Sequence, residues 1–359
     1  MRRALTPRWL ASPSRFAVVS QPTARVVLAL VALVLLATLM AISAPIGQPD
    51  TSLYAGIVEA VRHGGSYYAV AGDALRAGRY PLEPFTAFPL PTLAVVAGSS
   101  PDLAVTTMLY CLAAAVAVAW YARLTLSLKT RAARTLAAVL LSAGLAPLLR
   151  TDLSNVPETW AGLLIALSLG VHRSGRWIDA VAFGLAAALI CDAAVLYIVT
   201  MTGFAIRERR RDETLGWIAA LGLLAIVLAF HAHAVAAIVT PLDIAVTGTD
   251  ASASTGSVVS AFASATMLDY VPLWVAGPVV GLALFGWTTW RDAIAPRVLG
   301  TILLAVLLIA LLDRSGTSQS ALLVSPLLLV GLVLALDGLR DLFAAALDRR
   351  RITVKRIIR

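Results

Sequence analysis

Long apolar runs separated by short polar or charged stretches dominate the chain. The first run, Val26 to Ile46, is long enough as a helix to cross a hydrocarbon core of about 30 Å. Further apolar spans are predicted at 103–121, 135–149, 159–171, 214–238, 271–290, 297–312 and 321–337. Since a spanning segment must satisfy its own backbone hydrogen bonds, these runs predict an all-α, polytopic transmembrane bundle.

The apolar run Trp177 to Ile206 is predicted to form a hairpin of two short helices. As one helix it would place the basic cluster "RERRR" at 207–211 outside, against the tendency of lysine and arginine to remain inside. A turn near Cys191 and Asp192 returns that cluster to the cytoplasm. Thirty residues give only about 45 Å of helix, so each arm is half-length and its tip lies in a protein-lined cavity. The total becomes about ten spans.

Basic residues then define the orientation and the domain organisation. Most of the 29 lysines and arginines fall on one side, which predicts that both termini are cytoplasmic. The predicted parts are a basic N-terminus 1–25, a bundle 26–338 with outer loops 47–92 and 239–270, and a basic cytoplasmic tail 339–359. The small residues "AISA" at 41–44 leave a cleaved signal peptide as an alternative. The long basic region before them favours a retained helix.

Composition agrees with a membrane protein and excludes several other classes. With 59% hydrophobic and 14% charged residues, and a mean hydropathy of +0.85, the chain is not a soluble domain. The net charge of +9 is explained by topology and by contacts to anionic lipids, and not by nucleic acid. Cys111 and Cys191 lie within apolar segments, so neither a disulfide framework nor a metal site is expected from them.

The first outer loop carries polar and aromatic residues that are not typical of a linker. Tyr54, Ile57, Val58 and Val61 share one helical stripe, and a glycine pair follows. The stretch "SYYAVAGDALRAGRYP" then predicts a second amphipathic helix that ends at Gly78. Two such helices would form a platform at the membrane surface.

Asp50 is the leading catalytic candidate, because it follows the first span closely. A carboxylate at the lip of a cavity can act as a general base towards a hydroxyl group. The alternative is a solvated aspartate that favours the N-terminus of the next helix.

Several other residues are candidates for binding a substrate or a donor phosphate. Arg150 could bind a lipid phosphate or could pair with Asp152, and Glu158 closes the same loop. The remaining candidates are Arg62, His63, Tyr67, Tyr68, Arg79 and the intramembrane Asp192. The tyrosines could stack on sugar rings or could simply anchor the bilayer interface. His231 and His233 would face different directions on a helix, so no metal pair is expected, and Asp337 is interpreted as structural.

The first half of the chain resembles the GT-C superfamily of membrane glycosyltransferases, in particular its bacterial mannosyltransferase-like members. The resemblance rests on "DTSLY…GGSYYAVAGDALRAGRYPLEPFTAFPLPTL" and on "PETWAGLLIALSL" followed by a tight hairpin, over roughly residues 26–206. It implies a GT-C-like bundle that uses a polyprenyl-phosphate sugar on the outer face, with Asp50 at the catalytic acidic position. No second acidic residue adjoins Asp50, and the hairpin tip reads Cys191-Asp192 instead of Arg-Glu, so no metal ligands or cofactor are assigned.

The resulting hypothesis is a hexosyltransferase of the cell envelope, in the bacterial inner membrane. Its partners would be a lipid-linked sugar donor, a glycan or lipid acceptor, and membrane lipids. Two other functions remain open: a transporter or flippase for a lipid or sugar, and a non-catalytic scaffold whose outer loop binds a partner protein.

Overall fold

The computed structural model describes residues 6–40, 51–173, 175–245, 255–312 and 319–348. Of these residues 79% are helical and none lies in a strand, which confirms the all-α prediction. The helices, in chain order, are α1 Gln21–Leu39, α2 Thr51–Arg62, α3 Tyr67–Ala77, α4 Pro91–Gly98, α5 Asp102–Ser127, α6 Arg131–Leu145, α7 Pro157–Val171, α8 Ile178–Ile190, α9 Val195–Arg207, α10 Arg211–Ala236, α11 Thr255–Ser264, α12 Leu273–Thr289, α13 Ile294–Leu312, α14 Ser325–Leu328 and α15 Gly331–Ala346.

Four helical segments in the described residues are long and apolar enough to cross a membrane. They are α1, α5, α10 and the stretch Arg131–Leu149, in which a 3-10 turn extends α6. Helices α7, α8 and α12 are apolar but shorter. The membrane assignment is thus supported by length and composition, while the total of about ten spans stays a prediction.

The hairpin predicted between 177 and 206 is present. Helix α8 ends at Ile190, Cys191 has extended backbone (φ −137°, ψ 117°), and α9 begins at Val195 after a 3-10 turn. The ring of Trp177, just before α8, packs against Gly216 near the start of α10. Since α9 leads directly into α10, both arms of the hairpin begin and end at the same side of the bundle.

The predicted last span, 321–337, is not one continuous helix. A 3-10 turn at Gln319–Leu323 and the short α14 come first, and Pro326 there has no N–H to donate to a helix. Helix α15 then starts at Gly331 and continues to Ala346, beyond the predicted boundary at 338. Gly286 of α12 lies so close to the Gly331 carbonyl that a Cβ at this position would overlap it.

The N-terminal segment is fastened to α15 through a buried carboxylate. Asp337 is only 3% exposed, and its oxygens accept the backbone N–H groups of Arg8, Trp9 and Leu10 at 3.0, 2.8 and 2.8 Å. The Ser14 hydroxyl donates to Asp341 one turn later, at 2.6 Å. The interpretation of Asp337 as structural is confirmed.

Helix α7 lies at the centre of the packing. All its side chains from Thr159 to Gly170 are buried, so it is covered on every face. Glu158, in its first turn, is only half-buried and directly precedes this buried stretch.

Candidate functional site

The described residues of the predicted first outer loop fold into the two amphipathic helices that its pattern predicts. Ile57 and Val58 are buried on α2, and Tyr67, Ala71 and Leu75 form a buried stripe at spacings of four residues on α3. The apolar side of each helix therefore lies against the protein. This outer-loop pair forms one wall of the candidate site.

Two arginines attach the outer-loop pair to the rest of the protein. Arg62 of α2 binds the Ala97 carbonyl at 3.2 Å and also pairs with Asp102, which fixes α2 against α4 and α5. Arg76 of α3 forms a two-pronged ion pair with Asp243, at 2.7 and 2.9 Å, beyond the end of α10. This bond from Arg76 holds the pKa of the Asp243 carboxyl well below its ordinary value.

Glu158 lies in the first turn of α7 and is half-buried. Its Oε2 atom is buried and accepts no hydrogen bond from any residue that the structure describes. A buried carboxylate oxygen without a donor is costly, because water would otherwise satisfy it. A hydroxyl or N–H group that reached this oxygen would satisfy it.

Asp192 lies at the tip of the α8–α9 hairpin, within electrostatic range of Glu158. Its Oδ1 accepts the N–H of Ala193 at 2.8 Å, a bond that fixes the carboxyl against the tip. Two carboxyl groups from distant parts of the sequence thus share one region. Cys191, which precedes Asp192, is buried beside them.

Tyr54 of α2 brings a phenol to the same two carboxyl groups. Burial raises the pKa of Tyr54 well above its ordinary value, and Glu158 and Cys191 raise it further. Asp192 acts in the same direction, so Tyr54 lies within electrostatic range of all three groups. The Tyr54 hydroxyl stays protonated and donates to Gln319 Oε1 at 3.4 Å.

A histidine joins the outer-loop pair to α10 beside this region. His231 is 3% exposed, with Nε2 at 3.2 Å from the Phe88 carbonyl and Nδ1 at 3.1 Å from the Tyr68 hydroxyl. Because a carbonyl only accepts, Nε2 carries the proton and Nδ1 accepts from Tyr68. His231 also lies within electrostatic range of Asp192. Its ring bridges the outer loop and the site.

The aromatic candidates of the outer loop are packed against one another. Tyr67 is 8% exposed and donates to the Pro89 carbonyl at 2.7 Å. Its ring meets that of Tyr68 edge-on, with centroids 5.2 Å apart, and Phe88 lies 6.0 Å from Tyr68. Their present contacts stabilise the wall, with Tyr68 the more exposed of the two.

The remaining charged candidates are exposed on the surface of the protein. Arg150 forms a two-pronged pair with Asp152, at 3.1 and 2.7 Å, and both side chains are exposed. His63 is exposed and contacts the Glu59 carbonyl at 2.9 Å. Arg79 is exposed in a left-handed conformation with φ 56°. Arg150 was expected either to bind a lipid phosphate or to pair with Asp152, and the structure shows the pair with Asp152.

Asp50, the proposed base, lies outside the described residues. Thr51, the next residue in the sequence, begins α2, the helix that carries Tyr54. Sequence reasoning placed Tyr54 on an apolar stripe and did not select it as a site residue. Tyr54 lies one turn before the buried Ile57 on the same face of α2, and this spacing could have indicated that its side chain faces the protein.

The described residues contain no group of three or more His, Cys, Asp or Glu side chains placed to hold a metal ion. No protein-family model, curated protein or solved structure matches the chain.

Proposed function

We propose that the protein is a GT-C-type glycosyltransferase of the bacterial inner membrane. It would transfer a hexose from a polyprenyl-phosphate donor to a hydroxyl acceptor on the outer face. The observation that carries the proposal is the convergence of Tyr54, Glu158 and Asp192. They come from the outer loop, the start of the central helix and the tip of a half-length hairpin.

These three side chains suit a sugar because they combine hydrogen-bond acceptors with a hydrogen-bond donor in one region. Carboxyl oxygens accept hydrogen bonds from sugar hydroxyls, and the protonated Tyr54 can donate one. The unpaired Oε2 of Glu158 is a place where such a hydroxyl would replace a missing partner. Hydrogen-bond acceptors held in place by the fold orient a substrate before the reaction begins.

The proposed reaction is a single displacement. The acceptor oxygen forms a bond to the anomeric carbon from the face opposite the phosphate, and the carbon–oxygen bond to the lipid phosphate breaks. The acceptor's proton passes to Asp50, and the phosphate departs with the bonding electron pair. Arg150, which is exposed and would exchange its pair with Asp152 for the phosphate, is the first choice to neutralise that phosphate.

The test uses the purified full-length protein in nanodiscs with radiolabelled polyprenyl-phosphate mannose and, separately, polyprenyl-phosphate glucose. Donor consumption is measured with membrane lipid extract as the acceptor source, for wild type, Asp50→Asn, Glu158→Gln and Asp192→Asn. The matched control is Asp73→Asn, which removes an exposed carboxylate from the same outer loop. We expect Asp50→Asn to lower turnover at least about 100-fold and Asp73→Asn to leave it unchanged.

The outcomes separate the possible functions. Full activity of Asp50→Asn would remove that residue as the base, and loss in Glu158→Gln alone would transfer the role to Glu158. Movement of intact donor between leaflets without consumption would indicate a flippase. Absence of both binding and turnover with either donor would overturn the transferase proposal and favour a scaffold.

A further inference from the structure

A basic cleft lies at the turn between α9 and α10, at the opposite end of the hairpin from Asp192. Its volume is about 580 Å³, and its lining residues are Ile206, Arg209, Arg211, Thr214 and Leu215. This volume is within the range of small-molecule sites, about 300–1,000 Å³. No carboxylate belongs to that lining.

Two of the three acidic residues of this turn, Glu208 and Glu213, are already paired on its inner side. Glu208 pairs with Arg297 at 2.8 Å and with Arg210 at 2.9 Å. Glu213 is 1% exposed and contacts His172 Nε2 at 2.8 Å. Neither carboxylate is therefore free to neutralise the outward arginines.

This distribution leaves the arginines of the cleft without acidic partners. In the described part of the chain, neither Arg209 nor Arg211 forms an ion pair. Asp212, between Arg211 and the buried Glu213, is exposed and does not line the cleft. The cleft thus has two unneutralised guanidinium groups, and a guanidinium matches the oxygen geometry of a phosphate.

Apolar side chains border the arginines. Ile206 is 58% exposed and Leu215 is 64% exposed, on either side of the turn. Arg211 is also the first residue of α10, one of the four candidate spans, so the cleft lies where a span begins. Charge beside apolar surface at that level matches a lipid headgroup, whose phosphate and acyl chains lie next to each other.

We propose that this cleft binds the phosphate of an anionic lipid headgroup through Arg209 and Arg211, with the acyl chain against Ile206 and Leu215. The chemistry recognised is a phosphate ester, and the test distinguishes a lipid from a soluble source. The site is independent of the glycosyltransferase proposal, because it lies at the other end of the hairpin and uses none of the same residues.

The experiment is native mass spectrometry of the full-length protein in detergent, titrated with phosphatidylglycerol or with zwitterionic phosphatidylcholine. The test variant is R209Q/R211Q. The control is R131Q/R176Q, which removes the same charge from exposed arginines that do not line the cleft. R209K/R211K retains the charge, and helical circular dichroism with size-exclusion chromatography checks folding of each variant.

We expect phosphatidylglycerol to bind more tightly than phosphatidylcholine, and R209Q/R211Q to weaken its binding about 30-fold. R131Q/R176Q should weaken it less than about threefold, because diffuse attraction is screened by salt and does not depend on one position. R209K/R211K should lie between wild type and the glutamine variant. Glycerol 1-phosphate is added as a competitor, and its displacement of the lipid would show that the headgroup alone suffices.

Three results would overturn the proposal. One is equal binding of the two lipids by wild type, and another is equal loss in the test and control variants. The third is a folded R209K/R211K variant that binds no better than R209Q/R211Q. Lack of competition by glycerol 1-phosphate, with the expected variant effects, would support a lipid source in which the acyl chain is required.

Discussion

Replacement of Asp337 by asparagine tests whether one buried carboxylate holds the N-terminal segment on α15. The wild-type carboxylate accepts three consecutive backbone N–H groups, from Arg8 to Leu10, at 2.8–3.0 Å. Asparagine has nearly the same shape but only one acceptor oxygen. Its NH₂ group would face N–H donors and could not accept from them.

The magnitude follows from the number of bonds. A hydrogen bond to a charged group contributes about 1.5 kcal/mol at the lower end of its range, so three contribute about 4–5 kcal/mol. Two of the three end on Oδ2, so asparagine can keep those two as neutral bonds of about 1 kcal/mol each. The Arg8 N–H is then left facing the NH₂ group, and the total loss is about 3 kcal/mol. This corresponds to local opening of the segment that is about 100-fold more frequent.

The assay is hydrogen exchange by mass spectrometry in nanodiscs, on a peptide that contains Arg8, Trp9 and Leu10. Asp341→Asn is the matched control, since it alters only the neighbouring bond from the Ser14 hydroxyl. Exchange in the control should rise less than about fivefold. A rise of less than about threefold in Asp337→Asn would refute the reasoning, because it would mean that packing alone holds the segment.

Three further predictions concern packing, pH and the candidate site. Gly286→Leu should prevent the close approach to Gly331 and lower the thermal midpoint by several degrees, measured by circular dichroism in detergent. The stabilising contribution of Asp243, whose folded-state pKa is depressed by Arg76, is fully present above pH 3.8 and declines as the pH falls towards the folded-state value. The thermal midpoints of wild type and Asp243→Asn should therefore differ at pH 7 and converge as the pH falls below 3.8; a constant difference would contradict this. Tyr54→Phe should lower sugar transfer about tenfold or more, and the wild-type rate should show no alkaline loss near pH 10, because the Tyr54 pKa lies well above 10.0.

Much of the fold could be predicted because it depends on local pattern. The all-α class, the two amphipathic outer-loop helices and the break near Cys191 follow from apolar periodicity, glycine positions and the placement of basic residues. The last span was predicted poorly. Apolar composition continues through 321–337, and only the backbone around Pro326 reveals the break.

The candidate site, like the fold, was predictable only in part from the sequence. Glu158 and Asp192 could be selected individually. Glu158 closes a short polar loop, and Asp192 is an ionisable residue within apolar sequence, which is unusual. Their proximity to each other and to Tyr54 could not, because no pattern in the sequence fixes which helix ends meet. His231, dismissed as a metal ligand, was not recognised as the bridge between Tyr68 and the Phe88 carbonyl.

By itself, the sequence determined that this chain buries apolar helices and carries a polar, aromatic loop after its first span. Those properties come from the period of the hydrophobic positions and the preferences of single residues, which act over a few turns of helix. Tertiary structure alone decided that Glu158, Asp192 and Tyr54 share one region. It also decided that Glu208 and Glu213 are neutralised inward while Arg209 and Arg211 remain unpaired in the described chain. Such pairings arise from packing between elements distant in the sequence, where distance and burial set the strength of each interaction.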